Sequence, residues 1–200
     1  MSDWNLSAVE QVVWDAFPRG ALTDLRAGDP GADDLASAAG WGAERTVRGE
    51  VIAALLLGAA ESEPGRVAAV RLAGARIAGP IDISEGDASA SLSLTGCYLD
   101  CPPGFNRAAC RAVELTGCAL PGFNGKWLQA RGSIRFEDCG VSGCIVLRNA
   151  RVQGSLHLSA SHLACAGREA LSAGGIVLDT HHHRRRQHRA GTARRTRIDL

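Results

Sequence analysis

The chain is poor in lysine, in aromatic residues and in long apolar runs. Lys126 is its single lysine, and aromatic residues make up only 4% of the 200 residues, although the apolar share is 46%. A core built from this composition must therefore use mainly Ala, Val, Ile, Leu and Cys. The longest apolar run, VIAALLLGAA at residues 51–60, has ten residues. A membrane-spanning helix needs about 20, so any membrane contact is expected to be peripheral.

The N-terminus, MSDWNLSAVEQ, lacks the basic and apolar regions of a secretory signal. The chain also carries an odd number of cysteines, seven. Both observations favour a reducing compartment, because secreted disulfide proteins usually carry an even set. We therefore expect a cytoplasmic protein.

Two helical patterns lie in residues 1–62. In residues 5–17, Ser7 and Glu10 form the S-x-x-E spacing of a capping box. Residues 43–59 repeat apolar side chains every three or four positions, and residues 27–42 read as a loop. The apolar residues expected on one face of the first helix are Val9, Val12, Val13 and Phe17.

These helices predict an α-helical N-terminal cap over residues 1–62 that covers the first unit of a repeat. The alternative is an amphipathic membrane anchor, which would place cationic residues beside the apolar face. Arg45 and Arg48 are present, but Glu44 and Glu50 offset their charge. We favour the cap.

From Val67 onward, apolar residues recur at every second position instead of at every third or fourth. Pairs of apolar residues separated by one variable residue recur every ten to twelve positions. Such a regular internal period is typical of a repeat architecture rather than of an ordinary globular core. The pairs are Val70 and Leu72, Ile81 and Ile83, Leu92 and Leu94, Val113 and Leu115, Ile134 and Phe136, Ile145 and Leu147, and Leu156 and Leu158.

The spacing predicts a mainly β fold, a short right-handed parallel β-helix of about 21 residues per coil over residues 63–179. Cys97, Cys118 and Cys139 occupy the same position in three successive coils. Neighbouring coils lie about 4.8 Å apart in such a stack. We expect these cysteines to form a structural ladder of small, inward-pointing thiols that act as small hydrophobic side chains.

The remaining cysteines do not have the spacing of a zinc site. Pairs four or five residues apart are not C-x-x-C, and no histidine lies at a usual distance along the chain, so no metal is predicted. A redox thiol needs exposure and a low pKa. Cys101 and Cys110 lie in the loop-like stretch DCPPGFNRAAC and are the candidate redox thiols.

The sequence predicts no cofactor and no catalytic residue. GARIAG at residues 74–79 and GFNGKW at residues 122–127 lack the spacing of a dinucleotide fingerprint and of a P-loop. Polar residues at outward positions of the repeat read as a solvated face, which also offers a binding strip along the stacked coils. They are Asp82, Glu114, Arg135, His157 and His162.

Residues 180–200 form a basic tail, with seven arginines and one acidic residue. One reading is an anion-binding arm for nucleic acid or anionic lipid, formed by Arg184, Arg185, Arg186 and Arg189. The other, which we favour, is a frameshift or truncation in GC-rich DNA. In either case we expect a disordered tail. An uncapped last coil would then present an open sheet edge that promotes end-to-end self-association.

Two resemblances follow from the residues. ARIAG (75–79), CALPG (118–122) and ARVQG (150–154) are loosely similar to the pentapeptide-repeat pattern, in which small and aliphatic residues point into a quadrilateral β-helix. VWDAFPRG (13–20) and ERTVRGEVIAALLLG (44–58) resemble the start of actinobacterial proteins that carry the label membrane-associated oxidoreductase, as does PGRVAAVRLAGARIAGPIDIS (64–84). The second resemblance implies an oxidoreductase but supplies no catalytic residues.

The leading hypothesis is a non-catalytic repeat scaffold that presents an elongated surface to a protein or membrane partner. The alternative is the membrane-associated oxidoreductase that the resemblance implies. A third hypothesis is a nucleic-acid binder that acts only through the basic tail. Because one fold hosts many functions, the architecture does not decide among them. The scaffold predicts a stable fold without turnover, and the enzyme predicts a bound chromophore or a thiol-dependent activity.

Overall fold

The computed structural model describes residues 4–165 and 169–179, together with the backbone of Thr196–Ile198. The chain winds into a mainly parallel β-solenoid of about five turns, which confirms the predicted fold class. Thr196–Ile198 pair antiparallel with Ile176–Leu178, so this short piece differs from the expected disorder. The predicted anion-binding arginines lie outside the described residues. They are Arg184, Arg185, Arg186 and Arg189.

Four stacks of short strands form the four faces of the solenoid. The first face contains Leu22–Asp24, Ala69–Ala73, Ser91–Thr95, Val113–Thr116, Ile134–Glu137 and Leu156–His157. The second face contains Thr46–Arg48, Arg76–Ala78, Tyr98–Leu99, Ala119–Leu120, Gly140–Val141 and His162–Leu163. The third face contains Phe123–Asn124, Ile145–Val146 and Leu171–Ser172. The fourth face contains Ala109–Cys110, Gln129–Ala130, Arg151–Val152, Ile176–Leu178 and Thr196–Ile198.

The register of the strands gives the length of each coil. On the first face Leu92 pairs with Val113, Val113 with Ile134 and Ile134 with Leu156, which are steps of 21, 21 and 22 residues. The predicted period is therefore close to the observed one. The coil that follows Ile145 is longer, because Ile145 pairs with Leu171, 26 residues further on.

The core is a set of stacked columns inside the coils. Leu72, Leu94, Leu115 and Phe136 are aligned by strand pairing and are fully buried. Three of the four phenylalanines pack together at the centre, with ring centroids 5.2 Å apart for Phe105 and Phe123 and 5.3 Å apart for Phe123 and Phe136. Three of the nine aromatic residues thus lie together where two neighbouring coils share one interior.

The first helix runs from Ala8 to Ala16 and continues as a 3-10 turn over Phe17–Arg19. The predicted capping box is present: the Ser7 N–H donates to Glu10 Oε2 at 2.9 Å, and the Glu10 N–H donates to Ser7 Oγ at 3.3 Å. The prediction for Val12 was wrong, since its side chain is 54% exposed. One residue turns a helix by about 100°, which carries Val12 away from the buried side that Val13 occupies.

The prediction of one helix over residues 43–59 was also wrong in part. Ala43–Arg45 form a 3-10 turn, Thr46–Arg48 form a strand, and the helix spans only Gly49–Leu56. Thr46–Arg48 pair in parallel with Arg76–Ala78. Pairing with a neighbouring strand overrides a local helical period, the more easily at β-branched residues such as Thr46 and Val47.

The cap is continuous with the coils. Leu22–Asp24, which lie in no predicted element, pair in parallel with Arg71–Ala73 and begin the first face, as Thr46–Arg48 begin the second. A further 3-10 turn, Ala38–Gly40, lies in the predicted loop.

An ion pair between the buried Glu10 carboxylate and the partly exposed Arg48 guanidinium joins the first helix to the strand Thr46–Arg48. Arg48 Nε donates to Glu10 Oε1 at 2.8 Å and the Arg48 backbone N–H donates to the same oxygen at 2.9 Å. Burial opposes ionisation of Glu10, but the hydrogen bonds from Arg48 and Ser7 outweigh it and lower the pKa of the Glu10 carboxyl to about 2.

Candidate functional site

The three ladder cysteines form one buried column. Each thiol donates to the carbonyl of a leucine in the preceding coil: Cys97 to Leu72 at 3.6 Å, Cys118 to Leu94 at 3.4 Å and Cys139 to Leu115 at 3.3 Å. The hydrogen bond with Cys118 and burial raise the pKa of the Cys139 thiol above its ordinary range. Burial opposes ionisation of Cys97, but hydrogen bonds from Cys118 and the backbone lower the pKa of its thiol. What the three thiols share is burial. A thiol that solvent does not reach is a poor nucleophile, which supports the prediction of a structural ladder.

The two candidate redox thiols differ in their surroundings. Cys110 lies on the strand Ala109–Cys110 of the fourth face and is buried, which raises the pKa of its thiol to about 12. The structure therefore does not support Cys110 as a redox residue, because a reactive thiol must ionise and be reached by solvent. Cys101 is half-buried and remains free.

A disulfide joins Cys144 and Cys165, whose Cα atoms are 5.3 Å apart. The odd cysteine count pointed to reduced thiols and did not foresee this pair. The sequence nevertheless contained an indication of this disulfide, because the two cysteines are 21 positions apart, which is the length of one coil. The same spacing that stacks the ladder also brings these two sulfurs together.

Within residues 4–165 and 169–179, no cluster of three or more His, Cys, Asp or Glu side chains is placed to hold a metal ion. In the same part of the chain, the helices fall short of the length and apolarity needed to cross a membrane.

The predicted outward residues are distributed over three faces. On the first face, strand pairing stacks Glu114, Arg135 and His157 in one column, and Arg135 Nε lies 3.7 Å from Glu114 Oε1. Asp82 lies on the third face, where its carboxylate accepts the Ser84 N–H at 3.0 Å. His162 lies on the second face. The structure therefore brings Glu114, Arg135 and His157 together on the first face and leaves Asp82 and His162 on two other faces.

The second face carries a groove of about 380 Å³. Tyr98 pairs with Ala119, Ala119 with Gly140 and Gly140 with His162, so two small residues lie between a phenol and an imidazole. We call this the second-face groove. It is lined by Tyr98, Asp100, Ala119, Pro121, Gly140, Ser142, His162 and Ala164.

The floor of the groove is held rigidly from below. Leu99, Leu120 and Val141 alternate with the groove residues along the strands and are buried in the solenoid core. Arg76 donates to both carboxylate oxygens of Asp100, at 3.1 and 2.9 Å, and so compensates the charge at one end. The groove is thus largely apolar with polar groups at its ends.

The geometry of the groove suits binding rather than proton transfer between its ends. Three strand spacings separate Tyr98 from His162, which is about 14 Å. Groups that exchange a proton must approach within about 3 Å or share one water. Small outward residues in the middle of the face leave room for an inserted side chain, and the phenol and imidazole flank that space.

Comparison of the chain with protein-family models, with curated proteins and with solved structures finds no match. The resemblances to pentapeptide-repeat proteins and to oxidoreductase-labelled proteins therefore stay expectations. The four-faced parallel architecture rests on strand pairing in this chain alone.

Proposed function

We propose that this protein is a non-catalytic repeat scaffold that binds a protein partner in the second-face groove. The observation that carries the proposal is the column Tyr98, Ala119, Gly140 and His162, in which two large side chains flank two small ones. Protein interfaces concentrate their binding energy where an aromatic or aliphatic anchor fills a pocket of this kind.

The preorganised floor supports this function. Because the backbone beneath the groove is paired on both sides, a partner meets a surface that needs little ordering on binding. The polar ends, with the Asp100 carboxylate at one and the His162 imidazole at the other, and Ser142 between them offer hydrogen-bond partners to a polypeptide backbone. A membrane partner would use the same apolar surface without needing these polar ends.

Site-specific photocrosslinking tests the proposal. We would place a photoreactive phenylalanine at Ala119 in the groove and, as the matched control, at Thr116 on the first face, and irradiate cells that express each variant. We expect discrete protein adducts from position 119 that weaken when Tyr98→Ala is added. Equal adduct patterns at both positions, or adducts indifferent to Tyr98→Ala, would contradict a protein-binding groove. Sedimentation with anionic phospholipid vesicles distinguishes the membrane partner.

The oxidoreductase remains the alternative proposal, and a UV–visible spectrum of the purified protein tests it. A flavin, haem or iron–sulfur band that changes on addition of NADPH would replace the scaffold with the enzyme. The scaffold predicts a bare protein spectrum and no NADPH consumption. Cytoplasmic location, peripheral membrane contact and end-to-end self-association also stay predictions.

A further inference from the structure

Trp127 lies on the surface with a left-handed backbone conformation that glycine and asparagine adopt more readily than tryptophan. Its side chain is 56% exposed and its φ is +62°. A positive φ is uncommon for any residue except glycine, and for a bulky residue it is a genuine outlier. Strain of this kind persists where the surrounding structure imposes it, and it clusters at functional sites.

The corner between the third and fourth faces imposes that conformation in every coil. The residues that stack with Trp127 at this corner also have positive φ angles, and they are Glu85, Arg107, Asn149 and Gly175. Asparagine and glycine adopt this conformation at low cost. A tryptophan here leaves more than half of its surface exposed, so packing in the core does not explain the residue.

Trp127 lines a pocket of about 300 Å³ that we call the Trp127 corner, together with Arg107, Gln129, Asn149 and Arg151. The Trp127 N–H donates to the Arg148 carbonyl at 2.9 Å, and the Arg107 N–H donates to the Lys126 carbonyl at 2.8 Å. The backbone is therefore tied to the coils on both sides. The pocket combines an aromatic ring, two guanidinium groups and two side-chain amides.

Positive charge dominates this corner. Lys126 and Arg148 flank Trp127 along the chain and in the next coil, and both are exposed. Within the part of the chain that the structure describes, Lys126, Arg148 and Arg151 have no carboxylate within 4.0 Å. The nearby acids are Glu85, 3.4 Å from Arg107, and Asp87, 3.0 Å from Arg131.

We propose that the Trp127 corner binds single-stranded nucleic acid. A base stacks on the indole, which every base can do because each has a flat π face. Arg107 and Arg151 contact the phosphates, and the amides of Gln129 and Asn149 reach the hydrogen-bonding edge of the base. The cations extend over three coils, about 10 Å, so a phosphate chain that continues past the stacked base meets a further cation at each coil.

Two other ligands share part of this chemistry. A free nucleotide would use the ring and one guanidinium but not the extended row of cations. An anionic membrane would use the cations, but a single aromatic residue in a concave pocket lined with amides is poorly placed to enter the headgroup region. The length of the cationic row favours the polymer over both.

Fluorescence anisotropy of labelled dT15 with the full chain at about 50 mM salt tests the proposal. Trp127→Asn removes the ring but keeps a residue that tolerates positive φ, so we expect unchanged thermal unfolding and an about 5- to 150-fold weaker dT15 affinity, as for a lost base stack at about 1–3 kcal/mol. Arg151→Gln should lower the slope of log K against log salt by about 0.7. Arg71 is an exposed arginine of the first face, and Arg71→Gln is the matched control. It should leave the dT15 affinity and the salt dependence of dT15 binding unchanged.

Binding through the basic tail is separated in the same full-length chain by replacing Arg184, Arg185, Arg186 and Arg189 with glutamine. The proposal requires that Trp127→Asn still weakens dT15 binding in this background. It is overturned if Trp127→Asn leaves the dT15 affinity unchanged, if thymidine monophosphate binds as tightly as dT15, or if Trp127→Asn abolishes binding to phosphatidylserine vesicles but not to dT15.

Discussion

The N-terminal cap and the coils are stabilised in different ways. In the coils, the same kind of side chain recurs at the same place, as in the buried column Leu72, Leu94, Leu115 and Phe136. In the cap, contacts that occur once join residues far apart in the chain, such as Glu10 and Arg48, which are 38 positions apart. The coils therefore depend on repetition, whereas the cap adds single polar pairs to buried apolar residues such as Val13, Phe17 and Leu55.

A second polar contact of the cap shows the same difference. Arg45 Nε donates to the Gly74 carbonyl at 2.8 Å, Arg45 also pairs with Asp33 at 2.9 Å, and its guanidinium lies 3.6 Å from the centre of the Trp41 ring. One arginine thus links the loop to the first complete coil. Damage to a coil should affect the coils on both of its sides, whereas damage to the cap should affect mainly the first coil, because each unit contacts only the units beside it.

The largest effect is expected in the coil core. Phe123→Ala removes a fully buried ring that packs against Phe105 and Phe136. We expect the free energy of unfolding to fall by about 3–5 kcal/mol, measured by urea denaturation followed by far-UV circular dichroism. Phe123→Leu is the control and should cost clearly less. A loss below about 1 kcal/mol would show that this column does not stabilise the coils.

A smaller, pH-dependent effect is expected in the cap. The Glu10 carboxyl has a pKa of about 2 in the folded chain, below its usual value of 4.5. Its stabilisation is therefore complete above pH 4.5 and is lost as the pH falls towards 2. Glu10→Gln should lower the free energy of unfolding by about 2 kcal/mol at pH 7. Between pH 5 and pH 2 the variant should lose less stability than the unmutated chain.

Urea denaturation followed by tryptophan fluorescence measures this effect, because Trp4 and Trp14 lie in the cap with ring centroids 6.1 Å apart. The circular dichroism of the coils should change less than the fluorescence. If Glu10→Gln keeps the pH dependence of the unmutated chain, another carboxylate carries the effect.

Size is expected to matter more than chemistry in the cysteine column. Cys118→Leu introduces a larger side chain into a fully buried position between two other thiols, and we expect a cost of about 1–3 kcal/mol from overpacking. Cys118→Ala removes the sulfur and should cost less. Thermal unfolding compares the two variants, and an alanine variant that is less stable than the leucine variant would refute the steric account.

The smallest effect is expected at Val12. This residue is exposed although the helical pattern placed it with the buried residues. Val12→Ser should change the free energy of unfolding by no more than about 0.5 kcal/mol, whereas Val13→Ser, at the neighbouring buried position, should cost several times more. Equal losses in urea denaturation would mean that Val12 is covered in solution.

The coils could be predicted from the sequence because their pattern is local. Alternation of apolar residues and a constant spacing identified strands of the first face, the β-helix class and the stacked positions of Cys97, Cys118 and Cys139, whereas the pair Ile81 and Ile83 flanks only an isolated bridge. The groove could be foreseen only in part. The outward position of His162 was predicted, but the small gap at Ala119 and Gly140 appears only when the strand register places them between Tyr98 and His162.

The sequence by itself determined the repeating part of this protein, since each coil reuses one pattern of apolar and small residues at nearly equal spacing. Only the tertiary structure decided which residues become neighbours where that spacing does not apply. Thr46–Arg48 became a strand because Arg76–Ala78 lie beside them, and Glu10 met Arg48 although 38 positions separate them. The physical reason is that a repeating pattern can be recognised from residues close together in the sequence. Strand pairing and the contacts of the cap depend instead on where the whole chain folds back on itself.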